Sequence, residues 1–233
     1  MYEKPIDPKL TKLAQGATLA LTNAKALFSE GQALFSCKAY ARALFLHQIS
    51  LEECAKVEML GCWATLEMMG DPVDLRNMRS LFTSHKVKNF TNAYMLPASE
   101  AELEARKKDD WRAAFEVFRE QQASFHHEAN DRKNAALYVD FVDDMFVSPS
   151  DRITEEMVRD TLDRNQKFIE LMRPKVEMLN SWATGDSGQL RKTLHAFRTR
   201  MEELREKHPN QPGEALNIVL EEMIKEARGD QQD

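Results

Sequence analysis

The chain has 233 residues, of which 42% are hydrophobic and 30% are charged, and its formal net charge is -6. This composition is typical of a folded protein rather than a disordered one. The negative charge excludes a globally basic nucleic-acid-binding surface, so any RNA contact must come from a local basic patch. No apolar run is long enough to span a membrane, and the beginning of the chain lacks the pattern of a signal peptide, so we expect no membrane association.

The three cysteines are an odd number and lack the spacing of metal ligands. Cys54 and Cys62 lie in the most apolar segment of the chain, and we expect both to be small residues of the core. Free thiols are typical of a reducing compartment, so the sequence predicts a cytoplasmic protein.

Apolar residues recur at helical spacing along most of the chain. The predicted helices cover residues 10–35, 39–69 and 73–96, a fourth helix that begins at the Ser99–Glu102 capping box and ends at an undecided point, and residues 153–184, 189–207 and 214–228. Alternating apolar residues predict an extended segment or short hairpin near residues 137–147.

These elements predict an all-α fold. The run Thr184-Gly-Asp-Ser-Gly188 is the clearest linker in the chain. It divides a helical domain over residues 1–184 from a C-terminal helical pair, which we expect to form an appendage over residues 185–233.

The predicted helix over residues 39–69 carries apolar side chains on nearly every side, which is typical of a helix covered by its neighbours. Glu53 falls within an apolar stripe of this helix, and Lys56 lies on a neighbouring line. A buried charge must be paired, and Glu53 or Glu52 can reach Lys56 along the helix. The glutamate and the lysine form either an internal ion pair that fixes the packing or a site in which the carboxylate orients groups from the next helix.

Several familiar sites are absent from the sequence. There is no glycine-rich phosphate loop, no GxSxG, no HExxH and no C-x-x-C, and no histidine follows a glutamate by three positions as in di-iron bundles. His126 and His127 point roughly 100° apart on a helix, so we expect ordinary helix residues rather than ligands. The sequence predicts neither a metal nor a cofactor.

His85, which lies among cationic residues, remains as the candidate for chemistry. A histidine can exchange protons with a ribose 2′-OH or a leaving oxygen at neutral pH, and an arginine can hold the phosphate, which suffices for metal-free RNA cleavage. Three arginine–histidine pairs are separated by four to six residues: Arg42 and His47, Arg79 and His85, and Arg119 and His126. The basic residues around His85 favour the second pair.

The order and spacing of four sequence pieces resemble the AbiV-type abortive-infection proteins of the HEPN superfamily. The pieces are Leu51-Glu-Glu-Cys-Ala-Lys56, His85-Lys-Val-Lys88, Arg132-Lys-Asn-Ala-Ala-Leu-Tyr-Val-Asp140 and Ser148-Pro149. The resemblance covers roughly residues 10–180. It implies a HEPN-like helical bundle and a metal-independent endoribonuclease of bacterial phage defence that arrests growth or translation on infection.

The resemblance also implies roles for single residues. His85 would be the general acid or base, Arg79 the phosphate clamp and Lys88 a further phosphate contact, while Glu53 and Lys56 would organise the site. The implied RNA-binding residues are Arg76, Lys86, Arg132, Lys133 and Tyr138. The implied partners are a second copy of the chain in a homodimer, an RNA substrate and a phage-encoded activator protein.

The same features allow a non-enzymatic alternative. The helical body would then be a binding or sensor module that recognises a phage or host protein, and Glu53, Lys56 and His85 would form a buried structural network. A ligand-binding regulator finds no support in any cofactor motif.

Overall fold

A computed structural model describes residues 7–185 and 187–207, together with residues 218, 219 and 222. Its elements are α1 (Pro8–Ser36), α2 (Tyr40–Met68), a 3-10 turn (Leu75–Asn77), α3 (Met78–Thr83), α4 (His85–Ala93), α5 (Glu100–Lys107), α6 (Trp111–Leu137), β1 (Asp140–Val142), β2 (Met145–Val147), α7 (Pro149–Arg152), α8 (Glu155–Thr184) and α9 (Gly188–Lys207). The predicted all-α class with a short hairpin is confirmed.

The described residues form two compact units. The first consists of residues 7–65, 73–96 and 121–185, and the second consists of residues 66–72, 97–120 and 187–207 with residues 218, 219 and 222. The predicted domain boundary after residue 184 falls at the end of α8 and stays a prediction.

In the first unit, α1 packs along α8. Alanines on one face of α1, such as Ala17 and Ala24, are fully buried, and such small side chains let two helices approach closely. Asp7 and Pro8 begin this helix, because the Asp7 carboxylate accepts hydrogen bonds from the N–H groups of Lys9 and Leu10.

Helix α2 lies at the centre of this unit, as its apolar pattern predicts. Its first turns join residues of α6, α7–α8 and α1 in one core, whose buried members are Ala41, Ala43, Leu44, Ala135, Ala136, Ile153 and Val158. The expectation that Cys62 belongs to the core is wrong, since Cys62 is exposed and only Cys54 is buried.

Two of the predicted helices are each split into two shorter helices. The helix predicted over residues 73–96 is interrupted at Ser84, which is extended (ψ 107°) and whose hydroxyl accepts a hydrogen bond from the N–H of Val87. The fourth helix is split into α5 and α6 around Asp109, which has a positive φ of 56°. Thr154 caps α8 in the same way as Ser84 caps α4.

The hairpin joins β1 and β2 in antiparallel register, with Phe141 opposite Phe146. Asp143 and Asp144 form its two-residue turn, and both have positive φ as such turns require.

In the second unit, the described part of the C-terminal region contains α9. Arg198 of this helix forms an ion pair with Asp71 at 2.5 Å, and Leu204 packs with Val219. The helix predicted over residues 214–228 lies outside the described residues apart from positions 218, 219 and 222. Over the described ranges, no helix is long and apolar enough to cross a membrane.

Candidate functional site

The charged groups of the site surround a buried carboxylate on α2. The side chain of Glu52 is 5% exposed, and its two oxygens accept hydrogen bonds from His85, Lys88 and Lys133. The site therefore joins α2, α4 and α6. A buried carboxylate is tolerated in such a place only because cationic donors surround it.

His85 is held by this carboxylate through one ring nitrogen. Its Nδ1 lies 2.7 and 2.8 Å from the two oxygens of Glu52, while 51% of its side-chain surface remains exposed. An ionised carboxylate can only accept, so Nδ1 carries the proton of this bond, and the other nitrogen, Nε2, is left to accept or donate a proton. This is the arrangement by which a carboxylate fixes the tautomer and direction of a catalytic imidazole.

Two buried lysines hold Glu52 in its ionised form. The ammonium of Lys88 is 2.6 Å from one carboxylate oxygen, and that of Lys133 is 3.2 Å from the other. Burial by itself would raise the pKa of Glu52. The bonds and positive charges of Lys88 and Lys133, with the bond to His85, outweigh burial and lower that pKa below its ordinary value.

Local structure places His85 at the first position of α4. The Ser84 hydroxyl caps this helix, and the Asn92 amide donates a 2.9 Å hydrogen bond to the carbonyl of Leu51. Leu51 directly precedes Glu52, so this bond fixes α4 against the turn of α2 that carries the carboxylate. His85 and Lys88, three residues apart, consequently reach the same side chain.

The carboxylate that contacts His85 is Glu52 rather than Glu53. Glu53 forms an ion pair with Lys56, as the spacing predicts, and the ammonium of Lys56 lies 5.6 Å from the centre of the Phe82 ring. The two neighbouring glutamates therefore belong to two separate charge clusters on α2.

The predicted phosphate contacts on the segment before α4 are exposed. Arg76 is paired with Asp74 at 2.9 Å, and Arg79 lies on α3, one break before His85. Arg79 makes no side-chain hydrogen bond or ion pair with another described residue. Lys86 is exposed on α4 and places its ammonium 5.3 Å from the centre of the Phe90 ring.

The three candidates that follow on α6 have different surroundings. Lys133 is buried against Glu52, whereas Tyr138 is 60% exposed just beyond the end of the helix. Arg132 is paired with Glu128 at 2.8 Å, and its Nη1 is buried without a hydrogen-bond partner among the described residues.

The histidines of the other two arginine–histidine pairs, His47 and His126, have environments different from that of His85. His47 is completely buried, and burial lowers its pKa to about 4. His126 is partly buried, and its Nδ1 lies 3.2 Å from the amide nitrogen of Asn89. Of the three histidines, only His85 pairs with a carboxylate.

Sequence reasoning missed Glu52 as the centre of the site and His126 as its neighbour. The position of Glu52 on a helix that is apolar on nearly every side could have indicated that this carboxylate needs a cationic partner from another helix. Within the part of the chain that the structure describes, no three His, Cys, Asp or Glu side chains are grouped so as to hold a metal ion.

Comparison with known proteins agrees with the resemblance found in the sequence. The sequence model of the HEPN family described as AbiV matches residues 12–170. An uncharacterized protein of Sinorhizobium fredii, y4gJ, is 39% identical over 109 residues, which are 47% of this chain and 57% of that relative. The match thus spans somewhat more than half of the relative's length. No solved structure matches the chain.

Proposed function

The chain belongs to the AbiV family of HEPN proteins, and from that premise we propose that it is a metal-independent endoribonuclease that arrests growth on phage infection. The observation that carries this proposal is the contact between buried Glu52 and half-exposed His85. It binds one imidazole nitrogen and leaves the other, on a half-exposed side chain, for proton transfer on an RNA phosphodiester. Action on cellular RNA would place the protein in the cytoplasm.

In this proposal His85 transfers a proton at the scissile phosphodiester. Glu52 positions the imidazole through Nδ1, as an acidic partner does in other catalytic histidines. Lys88 and Lys133 are 7% and 9% exposed and already bound to Glu52, which supports a role in holding the carboxylate rather than in direct contact with RNA.

Phosphate binding is assigned to the exposed cations near His85. Arg79 is the proposed clamp, because its side chain is exposed and lies across the Ser84 break from His85. Lys86 and Arg76 extend the basic surface, and Arg132 and Tyr138 are proposed as contacts on the α6 side. Glu53 and Lys56 are proposed to support the helix that carries Glu52.

We choose Arg79 and His85 among the three arginine–histidine pairs because of the exposure of each histidine and the side chain to which it is bound. His47 is fully buried and cannot meet RNA without unfolding around it. His126 lacks a carboxylate partner among the described residues, since its Nδ1 is bound to Asn89. His85 combines exposure with an acidic partner.

A non-catalytic sensor is the second candidate, and the hairpin favours it. Large apolar side chains on and beside β1 and β2 are exposed, namely Tyr138, Val139, Phe141, Val142, Met145 and Phe146. Large apolar side chains that are exposed together are typical of a protein-binding site. In the sensor we propose that this surface binds a phage or host protein; in the ribonuclease we propose that it joins two copies of the chain in a homodimer.

The two candidates differ in what removal of the imidazole does. Wild type, His85→Ala and the control His127→Ala would be induced in bacteria, with growth and total RNA followed. His127 is a suitable control because it is 85% exposed on α6. The ribonuclease predicts arrest with RNA fragments in wild type and His127→Ala, and neither in a folded His85→Ala. Arrest with intact RNA in all three would support the sensor.

A further inference from the structure

We propose that His126 is a second catalytic residue of this site, acting as the general base while His85 acts as the general acid. The inference rests on the proposed ribonuclease function and deepens it, because it supplies the two proton-transfer groups that cleavage of an RNA phosphodiester needs from one chain. It assigns a role to a histidine that the sequence pattern treats as an ordinary helix residue.

The geometry places His126 of α6 beside the part of α4 that follows His85. Its Nδ1 is 3.2 Å from the side-chain amide of Asn89, which lies one helical turn after His85. Its ring packs edge-to-face on Phe90, with ring centres 5.7 Å apart. Asn89 is itself buried, so the histidine is held on a rigid support.

Both imidazoles are therefore held in the same manner. Each is bound at Nδ1 by a buried side chain, Glu52 for His85 and Asn89 for His126, which leaves each Nε2 free for chemistry. The amide of Asn89 can donate to a bare Nδ1 or, rotated by half a turn, accept from a protonated one. A base at Nε2 needs the second of these orientations, in which the Asn89 oxygen accepts from Nδ1–H and the His126 Nε2 carries the lone pair.

The surrounding charges differ between the two histidines. His126 faces positive groups from both elements that pack around it, Lys86 and His85 on α4 and Lys133 and His127 on α6, and no carboxylate contributes to its shift. Burial first, and then these charges, lower the pKa of His126. The lowered pKa favours the neutral imidazole that a base needs, whereas the ring of His85 is bound at Nδ1 by the Glu52 carboxylate.

The proposed step is balanced in atoms and protons. The Nε2 of His126 takes the proton of the ribose 2′-OH, and the 2′-oxygen forms a bond to phosphorus. The bond from phosphorus to the 5′-oxygen breaks, and the Nε2–H of His85 gives its proton to that oxygen. The products are a 2′,3′-cyclic phosphate and a 5′-hydroxyl.

The chain offers a matched control in the adjacent histidine. His127 is 85% exposed and lies 3.9 Å from Asp131, on another side of α6. His126→Asn retains an amide for Asn89 but cannot transfer a proton, and His127→Asn makes the same change outside the site. His126→Gln is the second variant, in case the first does not fold.

Cleavage of a short RNA by the full-length protein tests the inference. We expect His126→Asn, with a melting temperature near that of wild type, to lose about 10²–10⁴-fold in rate. His127→Asn should stay within about threefold of wild type. A folded His126→Asn or His126→Gln that cleaves at the wild-type rate, while His85→Ala is inactive, would overturn the inference and leave the proposed function standing.

A substrate with sulfur in place of the bridging 5′-oxygen tests the two roles, because a thiolate leaves without being protonated. This substrate should restore cleavage by His85→Ala and leave His126→Asn slow. Restoration in His126→Asn instead would overturn the assignment of the base. If wild type cleaves neither substrate, the proposed ribonuclease function itself fails.

Discussion

Replacement of Glu52 by glutamine is the most informative change to the stability of the site. The side chains of Glu52, Lys88 and Lys133 are 5%, 7% and 9% exposed, so water screens their charges poorly. Glu52→Gln leaves two buried ammonium groups without a counter-charge. Removing one partner of a buried pair costs about 3–5 kcal/mol, and the amide oxygen that remains as an acceptor favours the lower end, about 3 kcal/mol.

For a chain of this length, about 3 kcal/mol corresponds to a fall in melting temperature of roughly 6–12 °C. The neighbouring Glu53→Gln is the control, since it removes a carboxylate from a pair with one lysine, Lys56, and the side chains of Lys56 and Glu53 are 20% and 12% exposed, more than those of the Glu52 cluster. We expect a loss of only about 1 kcal/mol from this variant.

Thermal and urea unfolding of both variants provide the measurement. Adding Lys88→Met to Glu52→Gln should recover part of the lost stability, because it removes one of the uncompensated charges. Equal losses in Glu52→Gln and Glu53→Gln, or a melting temperature of Glu52→Gln unchanged from wild type, would refute the view that Glu52 is the centre of a buried charge cluster.

Three further predictions concern the core and the hairpin. The pKa of His47 is about 4 in the folded protein and about 6.5 in the unfolded chain. The unfolded chain therefore binds a proton first as the pH falls, and the free energy of unfolding should decrease by about 3 kcal/mol between pH 6.5 and pH 4. Urea unfolding between pH 7 and 4.5 should show a shallower pH dependence in His47→Gln than in wild type, and equal slopes would contradict this. A Cβ at Gly31 would lie 2.9 Å from the His47 ring, so Gly31→Ala should destabilise the fold by about 1–3 kcal/mol, more than Gly16→Ala, whose Cβ would be 3.3 Å from Leu60. Phe146→Ser should reduce the fraction of dimer measured by light scattering, whereas Leu19→Ser, on the exposed surface of α1, should not. Equal dimer fractions in the two variants would rule out the hairpin surface as the dimer interface.

The periodicity of the sequence predicted the long helices and the central position of α2, because burial on nearly every side leaves a strong pattern. That same pattern could not distinguish Glu52 from Glu53, since a helix covered all round has no single buried face. The side on which α4 approaches decides between them, and the Asn92 bond to the Leu51 carbonyl fixes that approach. This contact joins residues 41 positions apart and leaves no local trace.

The breaks within the predicted helices were missed for a different reason. Ser84 ends one segment and caps the next without a glycine or proline, so the sequence over residues 73–96 looks continuous. Lys133 was predicted as part of an exposed basic patch, because a lysine beside Arg132 is most often solvated. Its burial follows from the position of Glu52 on another helix.

Cleavage of RNA by the purified protein in the presence of a chelator, with the ends of the products identified, tests whether His85 and Glu52 form a ribonuclease site. We expect 2′,3′-cyclic phosphate and 5′-hydroxyl ends from wild type, no loss of rate with EDTA, and no cleavage by a folded His85→Ala. Cleavage that survives in His85→Ala, or its absence from wild type, would contradict the assignment of His85 and Glu52 as the centre of a ribonuclease.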